Sequence, residues 1–235
     1  MTSALFFDAA GTLFHLPRGV GHHYREVALR HGVDIPEAAL TRAFSSAWRQ
    51  APPRPISRVP RVDDDRGWWR EIVEQVLSHC AIGPGALDRS AYFAELYDEF
   101  TKPGVWQLYP EVMETLDALR THYTLGVISN FDARLRTILD DLGIADRFSQ
   151  IVISSEVGAE KPDPWIFQEA LNRAQLLPED AMHIGDDPVC DWQGAESAGM
   201  RVFRLERPRN SLRDLAKSLG GEIQPARRIR GRFAS

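Results

Sequence analysis

Residues 4–14 read ALFFDAAGTLF, and this stretch decides the fold. Four apolar residues in a row suit a strand buried on both faces of a sheet. Asp8 ends the run and Gly11-Thr12 supplies a turn, so the strand delivers a carboxylate to the edge of its sheet. Two residues after Asp8, where a second carboxylate would complete a common catalytic pair, stands Ala10.

Further runs of the same kind follow: TLGVIS (124–129), QIVIS (150–154), AMHIG (181–185) and RVFRL (201–205). Helical patterns separate them. DARLRTILDDLG (132–143) repeats Leu135, Ile138, Leu139 and Leu142 at helical spacing, with Gly143 as C-cap. DPWIFQEALNRAQ (163–175) opens with Asp163 as N-cap and Pro164 at the first helical position. This alternation predicts an α/β fold with a doubly wound, Rossmann-like parallel sheet.

The long interval between the first two strands breaks the rhythm. GHHYREVALRHG, EAALTRAFSSAWRQ, RGWWREIVEQVLSHC and DRSAYFAELYDEF all carry helical periodicity, which predicts a four-helix insertion. We therefore divide the chain into a core, residues 1–15 and 105–235, and an inserted unit, residues 16–104. Within the insertion, the prolines of APPRPISRVPRVDDD (51–65) forbid a helix. This segment reads either as an interhelix loop or as a mobile loop bringing Arg54, Arg58 and Arg61 to a substrate.

A chain of 235 residues with 43% hydrophobic content can bury one α/β core and a smaller unit. Its net charge of −5 argues against broad binding to nucleic acid or to an anionic membrane. The basic end, ARRIRGRFAS (226–235), reads as a solvated terminus. Cys80 and Cys190 share no metal-type spacing and read as reduced thiols. No stretch has the length of a membrane span or a signal core, so we expect a cytoplasmic protein. Oligomeric state has no signature here.

The strand ends carry the chemistry, because ligands of open parallel sheets gather beyond the carboxyl ends of the strands. There the sequence sets Asp8, then Ser129-Asn130, then Lys161, then the acidic GDDPVCD (185–191). Ser129, Asn130 and Lys161 supply the donors and positive charge that a phosphate needs. Asp8 and Asp186 supply oxygen ligands for a hard divalent cation. With charge so offset, Asp8 can attack phosphorus and form an aspartyl phosphate.

The motifs DAAGTLF, VISNFD, KPDP and GDDPVCD, with the helical insertion after the first strand, resemble the haloacid dehalogenase-like hydrolase superfamily. WQLYPEVMETLDALR, VISNFDARL, KPDPWIFQEAL, CDWQGAESAGM and RGWWREIV look most like its subgroup called haloacid dehalogenase-like hydrolase domain-containing protein 3. The resemblance implies that the insertion is a cap and that Mg2+ is the cofactor. It implies Asp8 as nucleophile and metal ligand, with the carbonyl of Ala10 and the Asp186 carboxylate as further ligands. Ser129, Asn130 and Lys161 would hold the phosphoryl group of a small phosphorylated metabolite, and Asp187 and Asp191 would support the metal site.

Ala10 is the departure. In the family's phosphatases an aspartate there protonates the leaving group and later activates water. A positioned acid–base is worth about 10²–10⁴-fold in rate. One reading is a phosphatase whose acid is weakened or relocated, with His15, His22 and His23 as candidate replacements. A second is a phosphate- and metal-binding protein without turnover, acting as sensor or scaffold. The family's phosphonoacetaldehyde hydrolases also carry alanine here and resemble this opening motif, but they use a cap lysine, and the lysines here, Lys102, Lys161 and Lys217, leave none in the cap body. Trp48, Trp68, Trp69 and Tyr24 read either as cap core or as lining of the substrate space.

Overall fold

The computed structural model describes residues 2–83 and 85–220. The basic segment 226–235 lies outside the described residues. Along the chain run β1 (Ala4–Phe7), β2 (Phe14–His15), α1 (Gly19–Arg30), α2 (Glu37–Gln50), α3 (Arg66–His79) and α4 (Arg89–Glu99). Then follow β3 (Gln107–Leu108), α5 (Val112–Leu119), β4 (Thr124–Ser129), α6 (Arg134–Asp141), β5 (Gln150–Ile153), α7 (Ser154–Val157) and α8 (Pro164–Ala174). The described chain closes with β6 (Ala181–Gly185), a π-helical turn (Pro188–Gln193), α9 (Gly194–Ser197), β7 (Arg201–Arg204) and α10 (Leu212–Gly220).

The expected five strands pair in parallel, in the order β5-β4-β1-β6-β7. Period-2 geometry gives each strand two apolar faces. Leu5 and Phe7 pack with Leu116 of α5, Leu139 of α6 and Leu215 of α10. Ala4 and Phe6 face the other way, toward Ile166, Phe167 and Ala170 of α8. The sheet is thus covered on both sides, which is why its strands read as unbroken apolar runs.

The four helices α1 to α4 form their own apolar cluster around Tyr24, Leu40, Ile72, Leu77 and Phe93. The chain leaves the sheet through β2 and returns through β3, and these pair antiparallel, Phe14 opposite Leu108. Two residues per strand are too short for a periodicity signal, so the ribbon was invisible in the sequence. Among the described residues no helix is long and apolar enough to cross a membrane.

Candidate active site

The order of the sheet reverses between β1 and β6, and Asp8 and Asp186 lie just past the ends of these two strands. Crevices at such reversals are the ligand sites of open α/β sheets. The turn after Asp8 is built from backbone. The Ala9 carbonyl accepts from the amides of Thr12, Leu13 and Phe14, and the Gly11 amide donates to the Phe14 carbonyl at 2.8 Å. None of these turn bonds ends on the Ala10 carbonyl. Gly11 has φ +94°, and a Cβ there would stand 2.6 Å from an Asp186 carboxylate oxygen, so position 11 tolerates only glycine. Thr12 Oγ1 donates to Asp186 Oδ1 at 3.1 Å and orients that carboxylate.

Lys161 is buried between two carboxylates, with Nζ 2.6 Å from Asp8 Oδ1 and 2.6 Å from Asp191 Oδ1. It also donates to the Ile128 carbonyl at 3.0 Å. Ser129 Oγ donates to Asp8 Oδ1 at 3.3 Å. Asp191 accepts from Lys161 and pairs with His183 Nε2 (2.8 Å) through Oδ1, and accepts the Asp187 amide (3.0 Å) through Oδ2. Ligand oxygens of Asp8, Asp186 and Asp191 all lie within 4.8 Å of one another.

The charges do not balance within the crevice. Burial lowers the pKa of His183 and keeps it neutral, so three carboxylates face one ammonium. Burial pushes Asp8 up to about 7, although Lys161 pulls it down. Burial also opposes the charge of Asp191, but Lys161 and His183 together hold it well below the usual carboxylate range. Lys161 itself is raised: burial works against its charge, and Asp8 and Asp191 outweigh burial. The three carboxyl groups outnumber the one ammonium, and this cluster of hard oxygen donors fits a divalent cation such as Mg2+.

The structure brings Asp8, Ser129, Lys161, Asp186 and Asp191 together and places the remaining candidates differently. Asn130 spends its side chain on the backbone of Lys161: Oδ1 accepts the Lys161 amide at 2.7 Å and Nδ2 donates to its carbonyl at 2.8 Å. Asp187 caps the π-helical turn, accepting from the amides of Val189 and Cys190. His15 stacks on Tyr109, with ring centroids 4.7 Å apart. His22 pairs with Glu37 at 3.6 Å, and His23 packs on Phe100 beside Glu99, so their contacts lie in the helical insertion and its exit. Thr12 and His183 were missed as site residues. The lone polar residue in AMHIG was the signal for His183.

The segment 51–65 docks on the sheet unit. Its Ser57 and Arg58 amides donate to the Gly158 carbonyl, and the Arg61 amide donates to that of Ser155. Asp64 accepts from the Ala133 amide and from Ser155 Oγ. The three arginines are engaged: Arg54 with Glu160 and Asp65, Arg61 with Asp65, and Arg58 over the Trp165 ring. Tyr24 and Trp69 line a cavity of about 140 Å3 between the insertion and the sheet unit, with Phe131 on the sheet side. Trp68 instead donates its indole N–H to the Pro52 carbonyl and stacks edge-on against Trp48.

A family model described as haloacid dehalogenase-like hydrolase matches residues 2–199. The mouse haloacid dehalogenase-like hydrolase domain-containing protein 3 is 37% identical over 201 residues, covering 85% of this chain and 80% of that one. The glyceraldehyde 3-phosphate phosphatase of Methanopyrus kandleri is 40% identical over 109 residues, 46% of this chain and 47% of that one. A solved defluorinating L-2-haloacid dehalogenase aligns with a TM-score of 0.73 at 22% identity, covering 88% of this chain and 82% of that one. At that identity the likeness is one of fold.

Proposed function

The chain belongs to the haloacid dehalogenase-like hydrolase family, and on that premise we propose that it is a magnesium-dependent phosphatase acting on a small phosphorylated substrate through Asp8. One observation carries this reading: the Lys161 ammonium sits 2.6 Å from the Asp8 carboxylate in a crevice that gathers three carboxylates. The named activity of the archaeal relative supports a phosphatase over other hydrolases.

Asp8 and Asp186, with the Ala10 carbonyl left open by its turn, would hold the cation, while the bonds already made by Asp191 give it an orienting role. Bound there, the cation supplies Lewis-acid stabilisation of a phosphoryl oxygen. Lys161 and Ser129 bind and orient the phosphoryl group at Asp8. Asp8 attacks phosphorus as the phosphorus–ester oxygen bond breaks and the alcohol or phenol leaves, and water later attacks the phosphorus of the aspartyl phosphate, breaking its bond to Asp8 and releasing inorganic phosphate. Asp191, held by His183 and the Asp187 amide, keeps Lys161 in place.

The test is hydrolysis of a phosphate-ester panel with magnesium and with chelator. Turnover should need magnesium and vanish in Asp8→Asn, and unchanged turnover in that variant would sink the assignment. A second reading rests on Ala10, whose exposed methyl group moves no proton. In that reading the pocket binds phosphate without turnover, and metavanadate with magnesium would stabilise a protein that hydrolyses no member of the panel.

A further inference from the structure

The cavity between the helical insertion and the sheet unit has a definite chemistry. Leu16, Phe44, Val73, Phe100, Trp106 and Phe131 give it apolar walls. The indole and guanidinium groups on its wall are already engaged. Trp69 Nε1 donates to Asp132 at 2.8 Å, and Trp106 Nε1 donates to the Phe100 carbonyl at 2.8 Å. The Arg134 guanidinium grips Asp132 through Nε (2.8 Å) and Nη2 (2.7 Å), donates to the Tyr97 carbonyl at 3.0 Å, and lies 3.6 Å from the centre of the Tyr97 ring. A sugar or a charged metabolite would lose its water there and find few partners. Phe131 stands two residues beyond Ser129, and Leu16 closes the segment that begins at Asp8.

The volume sets the size of the guest. An apolar cavity of about 150 Å3 accepts a benzene-sized molecule, and this one measures about 140 Å3. Ala10 points to the same class independently. Without a carboxyl group at position 10 to donate a proton, the leaving oxygen must depart as an anion. Phenols ionise near pH 10, far more readily than alcohols, so a phenolate leaves where an alkoxide stalls.

We propose that this cavity receives a single uncharged aromatic ring, and that the preferred substrates are monoaryl phosphates. The inference rests on the hydrolase reading and specifies its leaving group. An Asp8 oxygen forms the new bond to phosphorus while the phosphorus–aryl oxygen bond breaks, its electron pair departing on the phenolate. Water then attacks the phosphorus, restoring the Asp8 carboxylate and giving inorganic phosphate. The proton released from that water matches the one the phenolate takes from solvent.

The experiment compares kcat/KM for phenyl phosphate, 2-naphthyl phosphate and acetyl phosphate, the last a good leaving group without a ring. In Val73→Phe, which fills the cavity, the phenyl-to-acetyl ratio should fall at least tenfold. In Val73→Ala, which enlarges it, the naphthyl-to-phenyl ratio should rise at least fivefold. Ratios are independent of the fraction of each variant that folds. Acetyl phosphate turned over with both ratios unmoved would overturn this inference and leave the hydrolase reading standing. No turnover of any of the three compounds would overturn both.

Discussion

The side-chain amide of Asn130 grips the backbone of Lys161 at both ends, accepting its N–H at 2.7 Å and donating to its carbonyl at 2.8 Å. The end of β4 thereby holds the loop that carries the buried ammonium. Asn130→Ala should destabilise the fold by about 1–3 kcal/mol, because two backbone groups lose their partner. It should also lower kcat by about 10–100-fold through misplacement of Lys161. Denaturant titration and steady-state kinetics check this; a stability loss with unchanged kcat would separate the amide from catalysis.

Restoring a carboxyl at position 10 tests what the exposed alanine costs. Ala10→Asp should raise kcat on an alkyl phosphate by up to about 10²-fold, the low end of what a positioned acid–base contributes. Aryl phosphates, which leave without a proton, should gain little. Equal rates for the two proteins on the alkyl ester would show that a missing acid does not limit this reaction.

Asp8 links stability to pH and to the cation. Burial raises it from 3.8 to about 7 in the folded protein. Between these values the folded state keeps a proton that the unfolded chain releases, so the contribution of Asp8 to stability falls as pH rises through that window. A cation competes with that proton for the same oxygens. Added magnesium should therefore raise Tm more at about pH 8 than at about pH 5. Asp8→Asn should abolish the difference, and an equal Tm shift at both pH values would contradict the linkage.

The segment 51–65 should be held by Gly158. This residue has φ +67°, and a Cβ there would run into the Val59 carbonyl and Ser57 Oγ. Gly158→Ala pays the left-handed strain of about 1–2 kcal/mol and should free the docked amides of Ser57, Arg58 and Arg61. Hydrogen exchange at those three amides reads the outcome; unchanged protection would mean that the docking has another source.

Much of the architecture was legible because the signals that make a strand or a helix act over a few residues. ALFF, TLGVIS and AMHIG announced buried strands by composition. Asp163-Pro164 announced the start of α8, where Asp163 does accept the Trp165 amide. The strand ends pointed to Asp8, Lys161 and Asp186 because a parallel sheet must end its strands on one edge.

Which side chains meet was decided by packing between residues far apart in the chain. Lys161 reaches Asp8 across a separation of 153 residues, and Trp69 reaches Asp132 across 63. Such pairs depend on strand order and on how the insertion folds back, and no local pattern encodes either. For that reason only the folded chain turns Asn130 toward the Lys161 backbone, ties Arg54 to Glu160 and places His22 and His23 among insertion contacts. The same holds for the cavity. Phe44 and Trp69 are apolar positions of two helices in the sequence, and they become one wall when α2 and α3 close over Phe131.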